Sequence, residues 1–243
     1  MKFKIDLKFV LFLLLFYFTK QLYIYLIIMF FCCIHEIAHI LVAKILGFKI
    51  KYIELHPFGF CCEIKPKIGD YNRKFANSNI VEFKKIIIAI AGPLTNVILI
   101  LILNTIFSYL ENINLMIYSN LVIILFNILP IIPLDGGRIF KSFFRILKGN
   151  IVANKIMYFV SNLVIVFLTV VSSLAILYWQ NISILLILFY LWYLVILENK
   201  RFYMKNQIYK KIQAWKFIID NNNFDKNERY AIIWLYRGSF WIS

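Results

Sequence analysis

Charge is scarce in this chain. Only 16% of its 243 residues are charged, against 62% hydrophobic and 18% aromatic. A soluble globular domain has no means of hiding that much apolar surface, so that class is excluded. Cysteine is equally thin: four residues, in the adjacent pairs Cys32-Cys33 and Cys61-Cys62. Neighbouring cysteines seldom bridge each other, and without a C-x-x-C spacing a four-thiolate zinc site is disfavoured. Small apolar packing is the better reading, with a supporting role for Cys32 beside His35 as a lesser one. There is no internal repeat and no low-complexity tract. Histidine occurs three times and acidic residues twelve times, so where those few fall carries information.

What is abundant is apolar sequence in runs suited to about 30 Å of hydrocarbon. The pattern predicts an all-α polytopic membrane protein with about six spans, over residues 8–19, 21–46, 86–108, 115–134, 155–178 and 181–198. Lys2, Lys4 and Lys8 before the first run would suit a signal peptide. However, Phe16-Tyr17-Phe18-Thr19 offers no small-residue cleavage site, and the segment is read as retained. The net charge of +15 is a topology signal, not a nucleic-acid footprint. With six spans and an inside N-terminus, 26 of the 27 Lys and Arg residues fall on the cytoplasmic side, as the positive-inside rule requires.

Two of the three histidines stand in HEIAH, His35 to His39, within the second span. On a helix, positions i and i+4 project from nearly the same side about 6 Å apart, so two imidazoles can share one metal ion. Glu36 points to the flank, where a carboxylate can take a proton from water. The plainer alternative is a pair of buried histidines packing between helices, which would need partners for both rings and for the glutamate. His56, the third histidine, sits in a polar-flanked loop and reads as a surface residue.

A hydrolytic metal site needs a third protein ligand and an open fourth position. Besides Glu36, the acidic residue at an apolar span is Asp135, in NILPIIPLDGGRI, Asn127 to Ile139. Pro130 and Pro133 disrupt helical hydrogen bonding, and Gly136-Gly137 permits backbone conformations that other residues resist. A broken segment at membrane depth is tolerated inside protein or along a wet cavity, and it would let Asp135 turn back toward the histidines. The alternative is an ordinary span end with Asp135 capping the next helix.

HEIAH, AGPLTN at Ala91 to Asn96, and the N-x-x-P-x-x-P-L-D-G-G run from Asn127 together resemble the site-2 protease family of intramembrane zinc metalloproteases. The likeness covers roughly residues 8–200, and motif order and spacing are most similar to its sporulation branch, which activates a membrane-associated pro-sigma factor of the pro-sigma-K type. The resemblance implies zinc bound by His35, His39 and Asp135, Glu36 as general base, and Asn127 and Pro133 as substrate-binding positions. Gly92 and Asn96 lie four apart, which suits close packing of the third span on the catalytic core; Asn96 is read as structural before catalytic. Residues 49–54 and 60–64 alternate like strands around Pro57-Phe58-Gly59, predicting a small β-hairpin near the active site. The family likeness would have its edge pair with extended substrate; a plain cytoplasmic loop is the other reading.

The domain expectation is an intramembrane metalloprotease domain over 1–198 and a short basic cytoplasmic tail over 199–243, without a complete CBS domain and with no PDZ domain between spans. Lys205 to Ile219 places Ile208, Ile212, Trp215 and Ile219 on one side of a basic helix, suited to the inner membrane surface. The implied partners are a membrane-tethered protein substrate, the lipid bilayer and inhibitory membrane proteins, with no nucleic acid. For the sporulation branch the site would face the mother-cell cytoplasm from the membrane around the forespore. The alternatives are a site-2 protease acting on another substrate such as an anti-sigma factor, a membrane metal transporter, or a catalytically dead scaffold. Transport would call for ionisable residues strung along a path, whereas these form one cluster; a dead scaffold would not need Glu36.

Overall fold

The computed structural model describes the backbone of residues 2–5, 7–56, 59–65, 74–107, 109, 111–179 and 182–221. Strand β1 (Lys2–Ile5) precedes helices α1 (Leu7–Phe18) and α2 (Leu22–Ile45). Strands β2 (Lys49–His56) and β3 (Gly59–Lys65) come next, followed by helices α3 (Lys74–Ile106), α4 (Ile113–Ile128), α5 (Asp135–Trp179) and α6 (Ile182–Asn221). The chain forms two compact units, residues 1–198 and 199–243. The described part of the second is helical and ends at Asn221.

The protein is mainly helical, and three stretches are long and apolar enough to cross a membrane among the described residues: Leu22–Ile45, Asn79–Ile106 and Asp135–Leu174. Most of their side chains point outward, as expected when lipid is the solvent. Two expected spans are shorter as helices. α1 has 12 residues and α4 has 16, giving about 18 Å and 24 Å at 1.5 Å per residue, less than the hydrocarbon thickness. α1 packs on α2, with the Phe16 and Tyr25 rings stacked 4.6 Å apart and Phe12 edge-on to Tyr190.

α2 ends where glycine allows it to. Gly47, at φ 83°, donates to the Lys44 carbonyl at 3.0 Å while Phe48 donates to that of Ala43 at 2.9 Å. This is a Schellman cap, and its apolar clasp buries Ala43 and Phe48 with Val81 and Ile88 of α3. The chain leaves directly into β2, which pairs antiparallel with β3 from Lys49↔Lys65 to His56↔Gly59, with a register irregularity between Ile50 and Ile53. The turn at Pro57-Phe58 lies outside the described residues.

β1 was not anticipated. It runs parallel to β2, Lys2↔Tyr52 to Ile5↔Leu55, and makes the sheet order β1-β2-β3. Lys2-Phe3-Lys4-Ile5 has the period-2 alternation of a strand, which a reading of these lysines as span-flanking charge passes over. β2 is therefore paired on both sides, and an incoming strand could add beside β3 or β1 but not along β2.

α5 begins further upstream than the predicted fifth span. It starts at Asp135 and is broken at Gly149, φ 78° and ψ 172°, so a first helical segment fills what composition suggested was a cytoplasmic connection. That segment is tied to α3 by Arg145 Nη1 on Glu82 Oε1 at 3.3 Å, with Lys85 Nζ donating to the same oxygen at 2.6 Å. Glu82 is buried, so a third carboxylate belongs with Glu36 and Asp135 at the apolar spans; the stretch able to cross a membrane starts at Asn79, ahead of the predicted residue 86.

Candidate metal centre

The sequence-predicted ligands come together. Asp135 Oδ2 lies 3.0 Å from His35 Nε2 and 3.0 Å from His39 Nε2, and the two nitrogens are 3.1 Å apart. All three side chains are buried, and their rings and carboxylate come from helices 100 residues apart in sequence. The i, i+4 spacing on α2 sets the histidines edge to face with ring centres 4.7 Å apart.

Asp135 reaches them because the chain between α4 and α5 doubles back. Ile131, fully buried, packs with Ile165, Leu191 and Val195, and the Ile132 amide donates to Ser161 Oγ at 3.3 Å. A Cβ on Gly136 would overlap the carbonyls of Ile128 and Leu129, and one on Gly137 would press on Ile131 and Ile132 at 2.5–2.7 Å. Both glycines are dictated by that return of the backbone. Asp135 is the first residue of α5, where the helix dipole favours a carboxylate, and Arg138 Nη1 faces its other oxygen at 3.5 Å.

The second nitrogen of each ring is already engaged. His39 Nδ1 sits 2.6 Å from the Ile88 carbonyl, an obligatory acceptor, so Nδ1 carries the hydrogen, and in the neutral ring that ligates a metal Nε2 keeps a lone pair. Pro93 cannot donate back to Ala89, which interrupts the α3 ladder one residue beyond Ile88. His35 Nδ1 lies 2.9 Å from Asn96 Oδ1. Two imidazole lone pairs and a carboxylate oxygen therefore face one another across about 3 Å. Electron-rich atoms so placed repel unless a proton or a metal ion lies among them, and ligands of one zinc-sized ion, at about 2 Å each, have this mutual spacing. The donor set fits a divalent metal ion.

Gly92 of α3 lies against this cluster. A Cβ there would collide with the Nε2 atoms of both histidines, standing 2.5 Å from that of His35. Only a residue without a side chain leaves the ligand atoms room for an ion. Gly92→Ala should weaken metal binding, since overpacking a filled interior costs about 1–3 kcal/mol, or about a 5- to 150-fold loss of affinity. Competition of the purified protein with a chelator of known affinity measures it, and unchanged affinity would show that α3 yields freely.

Glu36 is half-buried on the flank of α2, within electrostatic range of His39, Arg138, Asp135 and His35. Asn127 and Pro133 are also half-buried; Asn127 Nδ2 is spent on the Ile123 carbonyl at 3.0 Å, and the structure does not bring its amide to the histidines. Cys32 and Cys33 are free thiols, Cys32 buried with Phe31, Leu103 and Ile123. The side chains of His56, Cys61 and Cys62 lie outside the described residues, as do those of Ile212, Trp215 and Ile219. Asn96 takes a larger part than packing, since it touches His35 directly. Behind it stands Asn120, which the motif reading did not single out; its signal was an amide in the middle of the apolar run of α4.

Residues 23–114 and 108–171, well over half of the chain, match the profile of peptidase family M50. The chain belongs to this family. It is 32% identical over 123 residues to a Synechocystis sp. protein named provisionally as a zinc metalloprotease, across 48% of this chain and 30% of that one. It is also 32% identical over 132 residues to a zinc metalloprotease of Methanocaldococcus jannaschii, across 51% of this chain and 34% of the relative. The chain thus spans about a third of the length of these two curated relatives. Its fold is similar to that of a site-2 protease from Methanocaldococcus jannaschii, with a TM-score of 0.59 at 23% identity, covering 80% of this M50 chain and 89% of the other.

Proposed function

We propose that the protein is an intramembrane zinc endopeptidase, and that it cuts a membrane-tethered pro-sigma factor of the pro-sigma-K type. The observation that carries the peptidase reading is the convergence of two imidazole nitrogens and one carboxylate oxygen beside a half-buried glutamate on the same helix. Family membership and the relatives named as zinc metalloproteases support zinc as the ion. The sporulation substrate rests on the motif order and on the short spacing between HEIAH and the strands that follow it.

His35, His39 and Asp135 would hold the zinc, which supplies Lewis acidity toward a peptide carbonyl and activates water at neutral pH. Glu36 takes the proton from the attacking water and delivers it to the departing amine. Arg138 and the start of α5 keep Asp135 ionised and aimed at the histidines. Asn127, released from its bond to Ile123, holds the scissile segment. A transmembrane helix hides its amides in internal bonds, so the substrate must enter extended, and β3 offers it an edge.

Co-expression with a panel of membrane-tethered pro-sigma factors tests the reading. A shortened product from one of them is expected; none from any pro-sigma factor, but cleavage of a membrane-tethered anti-sigma factor, would move the substrate and keep the enzyme.

The proposed orientation has six spans, with both ends and the 47–85 segment in the cytoplasm. His35 is the fourteenth residue of α2, about 20 Å from that helix's outer end at 1.5 Å per residue, which puts the site in the cytoplasmic half. A pro-protein would then be cut near its cytoplasmic boundary and release a soluble product inward. Single cysteines at positions 112 and 77, in a background lacking the four native ones, check this with a membrane-impermeant thiol reagent on intact cells. Label at position 112 and none at 77 is expected; the reverse would invert the protein.

A further inference from the structure

Two asparagine amides and an imidazole form a continuous buried chain behind the metal centre, anchored on the carbonyl of half-buried Met116. Met116, Asn120, Asn96 and His35 belong to three different helices, α4, α3 and α2, and Asn96 and Asn120 are fully buried. Asn120 Nδ2 donates to the Met116 carbonyl at 2.9 Å, Asn96 Nδ2 donates to Asn120 Oδ1 at 3.1 Å, and Asn96 Oδ1 stands 2.9 Å from His35 Nδ1.

The order of donors along this chain has one solution. The Met116 carbonyl can only accept, so Asn120 must turn its NH2 group there and its oxygen toward Asn96. Asn96 then presents its NH2 to Asn120 and its oxygen to His35. That oxygen requires a hydrogen on His35 Nδ1, which in the neutral ring, the form that ligates a metal, leaves a lone pair on Nε2, 3.0 Å from Asp135 Oδ2. His39 obtains the same tautomer in a single step from the Ile88 carbonyl. His35 Nδ1 instead faces an amide side chain, and an asparagine alone is indifferent to which of its ends faces the ring.

We propose that Asn120, acting through Asn96, is a positioning residue for His35: it fixes the tautomer that aims Nε2 at the metal. This deepens the metalloprotease reading and rests on it. Losing such an outer partner of a metal-bound histidine typically lowers metal affinity 10- to 100-fold. The competing account is that the amides are interhelical glue, which membrane helices also use.

The two accounts order the same two variants oppositely. Asn120→Leu keeps the volume and suits an apolar bundle, but it removes the acceptor that orients Asn96. Asn120→Asp keeps that acceptor in either protonation state, while introducing the side chain least suited to the membrane interior. With Co2+ as the probe on detergent-purified full chain, Asn120→Leu should bind 10- to 100-fold more weakly and shift the visible cobalt spectrum, at unchanged helix content by circular dichroism. Asn120→Asp should bind within about threefold of wild type. Should the Leu variant not purify, Asn96→Leu reads the same link one step closer to the ring.

Wild-type affinity and spectrum in the Leu variant, or in Asn96→Leu where that is the one purified, would overturn the proposal, as would an Asp variant weaker than Leu. If the wild-type chain itself binds no Co2+, the metal-centre reading fails first, and that outcome is distinct from a failure of the relay.

Discussion

Glu36→Gln should lower turnover about 100- to 10,000-fold while leaving bound metal unchanged, the range expected when general-base help is withdrawn. Gln has the volume and hydrogen-bonding reach of Glu but cannot accept the proton. The two effects separate because Glu36 is not among the converging ligand atoms, which belong to His35, His39 and Asp135. Its place one residue after His35 puts it about 100° round the helix from that ring, beside the ligand face and not on it. Metal analysis together with a single-turnover cleavage assay reads both quantities. A purified variant cutting at near wild-type rate would end the assignment of Glu36 as base.

Asp135→Ala is expected to act on the metal itself. Removing the carboxylate leaves two neutral imidazoles, fewer than the three protein ligands of known hydrolytic zinc sites, and leaves Arg138 facing the site without its acidic partner at 3.5 Å. Zinc content of the purified protein should fall well below one per chain, and proteolysis should fall with it. Asn127→Ala provides the contrast, because its amide bonds its own helix and not the ligands: zinc should stay and turnover should fall. Full zinc occupancy in the Asp135 variant would remove that residue from the ligand set.

The clustering of His35, His39 and Asp135 was legible because apolar spans hold few ionisable residues. HEIAH gave both the helix and the shared face, and the Pro-Gly run around Asp135 declared a reversal that periodicity alone would have called a span end. Reading Gly92 as a close-packing position was correct in kind, but that its neighbours are the ligand nitrogens depends on how α3 docks against α2. Asn120 and Glu82 were missed for related reasons. One is an amide in the middle of an apolar run with no local pattern pointing to Asn96, 24 residues earlier; the other precedes residue 86, where the span was predicted to start, and its partner Arg145 lies 63 residues on. Strand β1 was hidden by its own lysines, because the pairing that explains it is with residues 52–55.

The Glu82–Arg145 contact has a geometric implication. From Glu82 to Gly92 along α3 is ten residues, and from Arg145 back to Asp135 along α5 is also ten. Each arm is about 15 Å at 1.5 Å per residue, so the two helices work like calipers of equal leg, hinged at the ion pair and closing on the ligand atoms. A slip of one helical step, about 1.5 Å, at the ion pair would move Asp135 by that much against Gly92, the residue on which both histidine Nε2 atoms pack. The accuracy of the ligand set is thus gauged at the far end of the legs, by two side chains that never touch it.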